Sequence, residues 1–301
     1  MKLLHGEGLI CALHLSTTIM DGSLAAAVAA APACTEVKHV NNSRTVTYTT
    51  HEVHAVAGAP PLLVREGDRD SFHDNIMNEE HEQWAAEDGT GLSIWPSAYV
   101  LSRWLAASEF VSFDGKTVLE LGSGCGLVGL TIAQLGAAEI SLTDLSPRTL
   151  ENLRHNVALN SAADSAATAA PGWRMPSVRS IAWGDRSTWP AAGSVDLIIG
   201  SDLIYDDTTP TIISPLLAHA LRPGVGEFIH AHPARGRVGP QDLAAELAAV
   251  GLTLVHACGG LPLEQLHVVS ASGGALPSLW PLFNEIKVKP FVIQRYQKTG
   301  A

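Results

Sequence analysis

Two short segments of this chain carry residue types that could do chemistry together. The first is Val118-Leu119-Glu120-Leu121-Gly122-Ser123-Gly124-Cys125-Gly126-Leu127, where alternating glycines separate an apolar run from a helix-like one. Without Cβ atoms such a loop turns tightly, lets a ligand approach its backbone and aims the amides of a helix start at it. Asp144 follows twenty-two residues after Gly122, at the end of the next apolar run. A carboxylate there can accept both hydroxyls of a ribose, so loop and acid together specify a nucleoside-containing ligand. The second segment is Asp202-Leu203-Ile204-Tyr205, directly after the buried-strand pattern Val195 to Gly200. An acid and a phenol at that spacing suit an amine acceptor: the carboxylate holds the amino group while ring and hydroxyl border a narrow channel. Asp206 and Asp207 extend the negative rim.

Two ligands compete for the glycine loop. Gly124-Cys125-Gly126-Leu127-Val128-Gly129 satisfies the GxGxxG pattern of dinucleotide enzymes, with Asp144 twenty residues on, and spacing alone does not decide. Glu120 tips the balance. It lies inside the strand, where a dinucleotide fold keeps an apolar residue, and a carboxylate there suits a ligand with a cationic amino-acid end, namely S-adenosylmethionine. Farther on, Trp183-Gly184-Asp185 closes the next strand on the same sheet edge as Asp144. The indole could lie against adenine and Asp185 could accept from its exocyclic amine, although a core tryptophan and a plain turn aspartate remain open. His230 and His232 alternate on one strand, but no further ligand is spaced to complete a metal site. Cys125 reads as a small loop residue rather than a reactive thiol.

The elements that must hold these residues follow from periodicity. From Thr117 short apolar strands alternate with amphipathic helices, the mark of a parallel sheet covered on both faces. The strands are expected at Thr117–Leu121, Glu139–Thr143, Val178–Trp183, Val195–Gly200, Glu227–Ala231, Leu252–Ala257 and Phe291–Tyr296. Helices are expected at Leu127–Leu135, Pro147–Leu159, Thr211–Leu221 and Pro240–Val250. In the second of these Ser146 caps, and Leu150, Leu153 and Val157 form the buried stripe. Trp95-Pro96 opens an earlier helix, with proline suited to its first position. In a doubly wound sheet the first and fourth of these strands are neighbours where strand order reverses, which brings Asp202 and Tyr205 beside the Gly122 loop.

Ahead of the sheet, Val46 to Val56 and Leu62 to Val64 flank Gly58-Ala59-Pro60-Pro61 and read as a hairpin, followed by a polar connector from Gly67 to Gly91. Residues 1–43 read as a flexible tail, 44–90 as hairpin and connector, and 91–301 as the catalytic domain. Met1 to Val40 faintly resembles an organelle presequence, yet it contains no arginine and includes Glu7, Asp21 and Glu36. Ser161 to Pro171 is expected to be a loop insertion, and Gly259 to Pro281 a longer irregular excursion.

Composition sets outer bounds. With 301 residues, 46% hydrophobic and 16% charged, the chain can bury a large core, so disorder throughout is excluded. A net charge of −11 has the wrong sign for a protein that grips nucleic acid through phosphates. The four cysteines, Cys11, Cys34, Cys125 and Cys258, form no CxxC pair, which points to a reducing compartment rather than a disulfide framework.

Taken together, the motifs resemble the seven-β-strand protein N-methyltransferases that include the heat-shock-chaperone, valosin-containing-protein, elongation-factor and calmodulin lysine methyltransferases. The resemblance covers about Gly91 to Tyr296. It rests on Trp95 in Trp-Pro-Ser-Ala, the Glu120-to-Gly126 loop, Asp144, the Asn152, Asn156 and Asn160 ladder, Trp183-Gly184, and Asp202-Leu203-Ile204-Tyr205. It implies an α/β, doubly wound, Rossmann-like class I methyltransferase sheet of seven strands with a short N-terminal β extension. It further implies S-adenosylmethionine bound by Trp95, Glu120, Gly122, Ser123, Gly124, Cys125, Gly126, Asp144, Trp183, Gly184, Asp185 and Ser201. Asp202 and Tyr205 would form the substrate-amine side, and Arg235 falls where relatives carry an arginine. The implied partner is a protein presenting a lysine, met by a monomer in the cytoplasm or nucleus, with no nucleic acid, membrane or metal. Methylation of arginine, histidine or a small-molecule amine, and a silent cofactor-binding scaffold, are the alternatives.

Overall fold

The apolar strands of this chain are short and hydrophobic at successive positions, so each must be covered on both faces. In the computed structural model, which describes residues 35–40, 44–67, 89–162, 172–234, 240–259 and 290–300, they form one seven-stranded sheet. Its strands are β4 (Thr117–Leu121), β5 (Glu139–Asp144), β6 (Ser177–Ser180), β7 (Leu197–Ser201), β8 (Glu227–Pro233), β9 (Leu252–Gly259) and β10 (Phe291–Lys298). The order is β6-β5-β4-β7-β8-β10-β9; β6 to β8 run parallel, and β10 is antiparallel to both of its neighbours. This is the doubly wound, class I Rossmann-like arrangement expected above. The direction of strand order reverses between β4 and β7, which pair in parallel with Glu120 opposite Ile199 and Leu121 opposite Gly200.

Alternation along the strands sends side chains to two separate cores. Val118, Leu142, Ile199 and Ile229 pack with helices α1 (Pro96–Ala107), α2 (Leu127–Gln134) and α3 (Pro147–Ser161). Leu119, Leu121, Ile198 and Phe228 pack with α4 (Thr209–Ala220) and α5 (Pro240–Ala249). The expected stripe of Leu150, Leu153 and Val157 is buried in α3, and Pro96 opens α1 after Trp95. Ser146 does occupy the cap position of α3, but its hydroxyl makes no capping bond; Asp144 Oδ1 instead accepts the Ser146 amide at 3.3 Å. Trp183 lies beyond the end of β6 rather than within it.

The N-terminal extension is larger than a hairpin. Strand β1 (Thr35–Val40), in the stretch expected to be a tail, pairs antiparallel with β2 (Arg44–Val53), which pairs with β3 (Leu62–Gly67). Edge strands expose unpaired backbone groups. The asparagine ladder of α3 meets those of β3: the Leu63 amide donates to Asn160 Oδ1 at 2.9 Å and Asn160 Nδ2 returns a bond to the Leu63 carbonyl at 2.7 Å. Two residues on, the Arg65 amide donates to Asn156 Oδ1 at 2.9 Å, and the Arg65 carbonyl accepts from Asn156 and Asn152 at 2.9 and 3.0 Å. The fit is geometric, since four residues of helix rise about 6 Å and two residues of strand advance about 6.6 Å. Three asparagines on a helix thus act as one more strand. Arg65 itself is 2% exposed, with its Nε donating to Asn152 Oδ1 at 2.7 Å and its guanidinium 4.4 Å from the Tyr48 ring centre.

Arg235, Cys11 and Cys34 lie outside the described residues, as do most of the expected insertion at Ser161 to Pro171 and of the excursion at Gly259 to Pro281.

Candidate active site

At the carboxyl edge of the sheet, over the point where strand order reverses, a cleft of about 650 Å³ opens. The glycine loop forms its floor. Gly122 and Gly124 both have positive φ, 57° and 52°, a region that residues with a Cβ avoid. A Cβ on Gly122 would come within 2.7 Å of Leu203, and one on Gly124 within 3.2 Å of the Gly91 carbonyl oxygen. Asp144 closes the loop from β5: its Oδ2 accepts the Gly124 amide at 3.1 Å and its Oδ1 the Leu145 amide at 2.8 Å. These bonds fix the carboxylate where it lines the cleft.

Of the site residues expected from sequence, Trp95, Gly122, Gly124, Asp144, Trp183, Gly184, Ser201, Asp202 and Tyr205 all line this one cleft. Asp202 is the sole non-glycine with positive φ among the described residues, at 57°. Its amide is fixed to the Ala231 carbonyl at 2.8 Å, so the neighbouring strand β8 holds it there. Such a conformation costs about 1–3 kcal/mol and persists only where the surroundings impose it, as they do at functional sites. Tyr205 is 59% exposed at the rim.

Five expected residues do not line the cleft. Glu120 is 1% exposed and lies beneath the loop, where its Oε2 accepts the Gly129 amide at 3.1 Å. Gly129 is the third residue of α2, and Gly126, which precedes that helix, has no side chain to cap it; Glu120 caps it from the strand. Burial pushes the Glu120 carboxyl up to about 8, against hydrogen bonds from Ser123 and Gly129 that lower it. Sealed beneath the loop, Glu120 does not line the cleft where a cationic ligand was expected to meet it, and the role the geometry gives it is helix capping. The GxGxxG spacing has a packing reason here: a Cβ on Gly129 would fall 1.9 Å from Leu142 and 2.7 Å from Glu120 Oε2.

Ser123 knits the loop to β5, its amide donating to the Thr143 carbonyl at 2.8 Å and its Oγ accepting from the Thr143 amide at 2.9 Å. Cys125 is buried, its carbonyl accepting from Asn156 Nδ2 at 2.9 Å, and Gly126 turns the chain into α2. Asp185 caps the 3₁₀ turn Arg186–Thr188, its Oδ1 accepting from the Ser187 amide and hydroxyl at 2.9 and 2.8 Å. Those bonds hold its carboxyl below the ordinary range, and the turn-residue reading applies. Asp206 is similarly engaged, accepting from the amides and hydroxyls of Thr208 and Thr209 at the start of α4.

The cleft also gains residues that sequence reasoning missed. Leu145 and Ile212 are 55% and 41% exposed and line it beside the partly buried Trp183. An apolar residue directly after the strand-end acid Asp144 was the available signal for Leu145. Thr90, Gly91 and Thr149 line it too, and only the fold brings the first two there from the polar connector. His230 and His232 stack 5.2 Å apart within β8, and His230 is fully buried with neither ring nitrogen bonded. Burial, and then the neighbouring His232, keeps the His230 imidazole well below its usual range. Among the described residues no group of three metal-binding side chains occurs.

The arrangement can hold a nucleoside at Asp144 and the glycine loop, cover its base with Leu145, Ile212 and Trp183, and meet a second molecule at Asp202 and Tyr205. Comparison with known proteins gives the family. A family model described as lysine methyltransferase matches residues 75–236. EEF1A lysine methyltransferase 3 of Xenopus tropicalis is 31% identical over 158 residues, covering 48% of this chain and 64% of its own length. Protein N-lysine methyltransferase METTL21A of Danio rerio is 35% identical over 131 residues, covering 42% of this chain and 55% of its own. The chain thus spans between about half and two thirds of the length of the curated relatives it matches. Among solved structures, geranyl diphosphate methyltransferase in complex with SAM is 12% identical with a TM-score of 0.47, covering 75% of this chain and 95% of that one.

Proposed function

We propose that this chain, which belongs to the lysine methyltransferase family, transfers a methyl group from S-adenosylmethionine to a lysine side chain of a protein partner. One observation carries the reading: a single cleft joins the Asp144 carboxylate and the glycine loop at one end to Asp202 and Tyr205 at the other. S-adenosylmethionine, when bound, supplies a methyl group on a sulfonium. Asp144 would accept its ribose hydroxyls, the Gly122 and Gly124 backbone would leave room for it, and Leu145, Ile212 and Trp183 would enclose adenine.

The acceptor nitrogen needs a free lone pair in line with the bond from methyl carbon to sulfur. A lysine of pKa about 10.4 is charged at pH 7, and neutralising it costs about 4.6 kcal/mol. The adjoining sulfonium and apolar walls favour the neutral amine. An ionised Asp202 would oppose it, so Asp202 docks and orients the incoming ammonium rather than acting as base. Positioning is the main contribution, and the imposed backbone of Asp202 is the feature that supplies it.

The same reading has the chain work as a monomer in the cytoplasm, with the nucleus as a second location. The cysteine spacing supports a reducing compartment, and the charge of −11 disfavours nucleic acid. Among the described residues no helix is long and apolar enough to cross a membrane.

The test is incubation of the purified chain with a cell lysate and cofactor labelled in its methyl group, followed by mass spectrometry of the labelled band. Label on a lysine of a discrete protein is expected. Label on arginine or histidine, or label only in a protein-free metabolite fraction, would overturn the substrate class.

A further inference from the structure

One wall of the cleft is fastened by a part of the chain that lies before the matched family region. Gly89 to Trp95 contributes Thr90, Gly91 and Trp95 to the cleft. The segment is a single 3₁₀ turn, Thr90–Leu92, closed by the Leu92 amide on the Gly89 carbonyl at 2.9 Å and by Trp95 Nε1 on the Thr90 carbonyl at 2.9 Å. It is wedged against α3 and the glycine loop: a Cβ on Gly91 would stand 2.5 Å from Thr149 Oγ1, and one on Gly124 3.2 Å from the Gly91 carbonyl oxygen. Its downstream end is tied by Glu66 of β3. Glu66 Oε2 accepts the Ile94 amide at 3.0 Å, one residue before Trp95, and Glu66 Oε1 lies 3.0 Å from His51 Nε2 on β2. Glu66 and His51 are both buried.

We infer that Glu66 is a positioning residue: through its bond to the Ile94 amide, the N-terminal sheet sets the Thr90-to-Trp95 wall of the cofactor cleft. The chain of contacts is continuous. The asparagine ladder fixes β3 to α3 by bonds to Leu63 and Arg65, and Asn156 at the same time donates to the Cys125 carbonyl in the glycine loop. Glu66, the next residue on β3, carries that fixed edge to the Thr90-to-Trp95 segment. Loop and wall are therefore referenced to one strand. A carboxylate buried among backbone groups is costly unless hydrogen-bonded, and bonds from a charged acceptor are the stronger kind. A glutamine at position 66 could make both bonds, its oxygen accepting from Ile94 and its amide donating to the other tautomer of His51. An alanine makes neither.

This inference rests on the cofactor reading of the cleft, and the experiment separates the two. Glu66→Ala and Glu66→Gln are compared with the wild-type chain by calorimetry with S-adenosylhomocysteine, amide hydrogen exchange over residues 90–95, and methyl-transfer kinetics. In Glu66→Ala, exchange at 90–95 is expected to rise about 10-fold and the dissociation constant to weaken about 5- to 10-fold, as loss of one charge-assisted bond implies. The kcat at saturating cofactor stays within about twofold, and Glu66→Gln matches wild type in all three. If the alanine variant does not fold, Glu66→Asp, too short to span both partners, is read by the same criteria. Unchanged exchange and affinity in the Ala or Asp variant, whatever the melting temperature does, would overturn the role, as would a Gln variant as impaired as Ala. A wild-type chain that binds no S-adenosylhomocysteine would instead defeat the cofactor reading, with the exchange data still deciding whether Glu66 sets the wall.

Discussion

The two ends of the cleft are built by opposite means. At the glycine-loop end the polar atoms are engaged before any ligand arrives: Asp144 holds the Gly124 and Leu145 amides, Ser123 holds Thr143, and Glu120 is sealed against Gly129. At the other end Asp202 stands in a strained backbone and Tyr205 is largely exposed. The first end is preorganised for a small, invariant ligand whose affinity grows with rigidity. The second is an open rim, with room for the protein partner proposed above. The difference predicts that changes at the loop end act on cofactor affinity, and changes at the rim on turnover.

The sharpest way to break this contrast is Asp202→Ala. A kcat lower by about 100-fold or more is expected, with cofactor affinity within about threefold of wild type, because misplacement of the acceptor alone accounts for losses of that size; undiminished turnover in a labelled-methyl assay would remove the contrast. Asp144→Ala should do the converse, weakening cofactor affinity about 10- to 100-fold through lost hydrogen bonds to a charged acceptor. An unaltered calorimetric dissociation constant would count against the ribose assignment.

Glu120 sharpens the contrast through pH. Its carboxyl is pushed up to about 8 when folded against an ordinary 4.5, so the folded state binds the extra proton between those values. Stability associated with this group is therefore complete below about pH 4.5 and is lost as pH rises through about 8. Glu120→Gln, which keeps an acceptor for Gly129 but cannot ionise, should melt higher than wild type at pH 9, by roughly 2–4 °C for each kcal/mol of penalty removed. Melting curves at pH 6 and pH 9 that shift in parallel would show that Glu120 does not titrate there. The smallest effect is expected at Asp185, whose carboxylate serves only its own turn. Asp185→Ala should leave cofactor affinity within about twofold, and a larger loss would return it to the adenine end.

Much of this was legible along the chain. The strand Thr117–Leu121 and the starts of α2 and α3 fall where glycine, proline and apolar spacing put them. Gly122, Asp144 and Asp202 share a cleft because all three follow parallel strands at their carboxyl ends. Glu120 was misread because β4 is buried on both faces, so alternation says only that its side chain leaves the sheet, not whether it meets a ligand or a helix amide. Asp185 stayed open between two roles because an acid after a strand looks the same in sequence whether it faces a cleft or caps a turn. Leu145 and Ile212 escaped notice because exposed apolar residues become informative only when several converge.

Local chemistry therefore determined, from sequence alone, the alternating elements, the glycine turn and the acids at the strand ends, since each depends on neighbours within a few residues. The tertiary structure decided which polar groups face the cleft and how the N-terminal sheet is attached. Leu63 and Arg65 find Asn160, Asn156 and Asn152 across 97, 91 and 87 residues of chain. No periodicity encodes such a pairing; it exists because the tertiary fold lays an edge strand with unpaired backbone groups against a helix that offers amides at a matching rise.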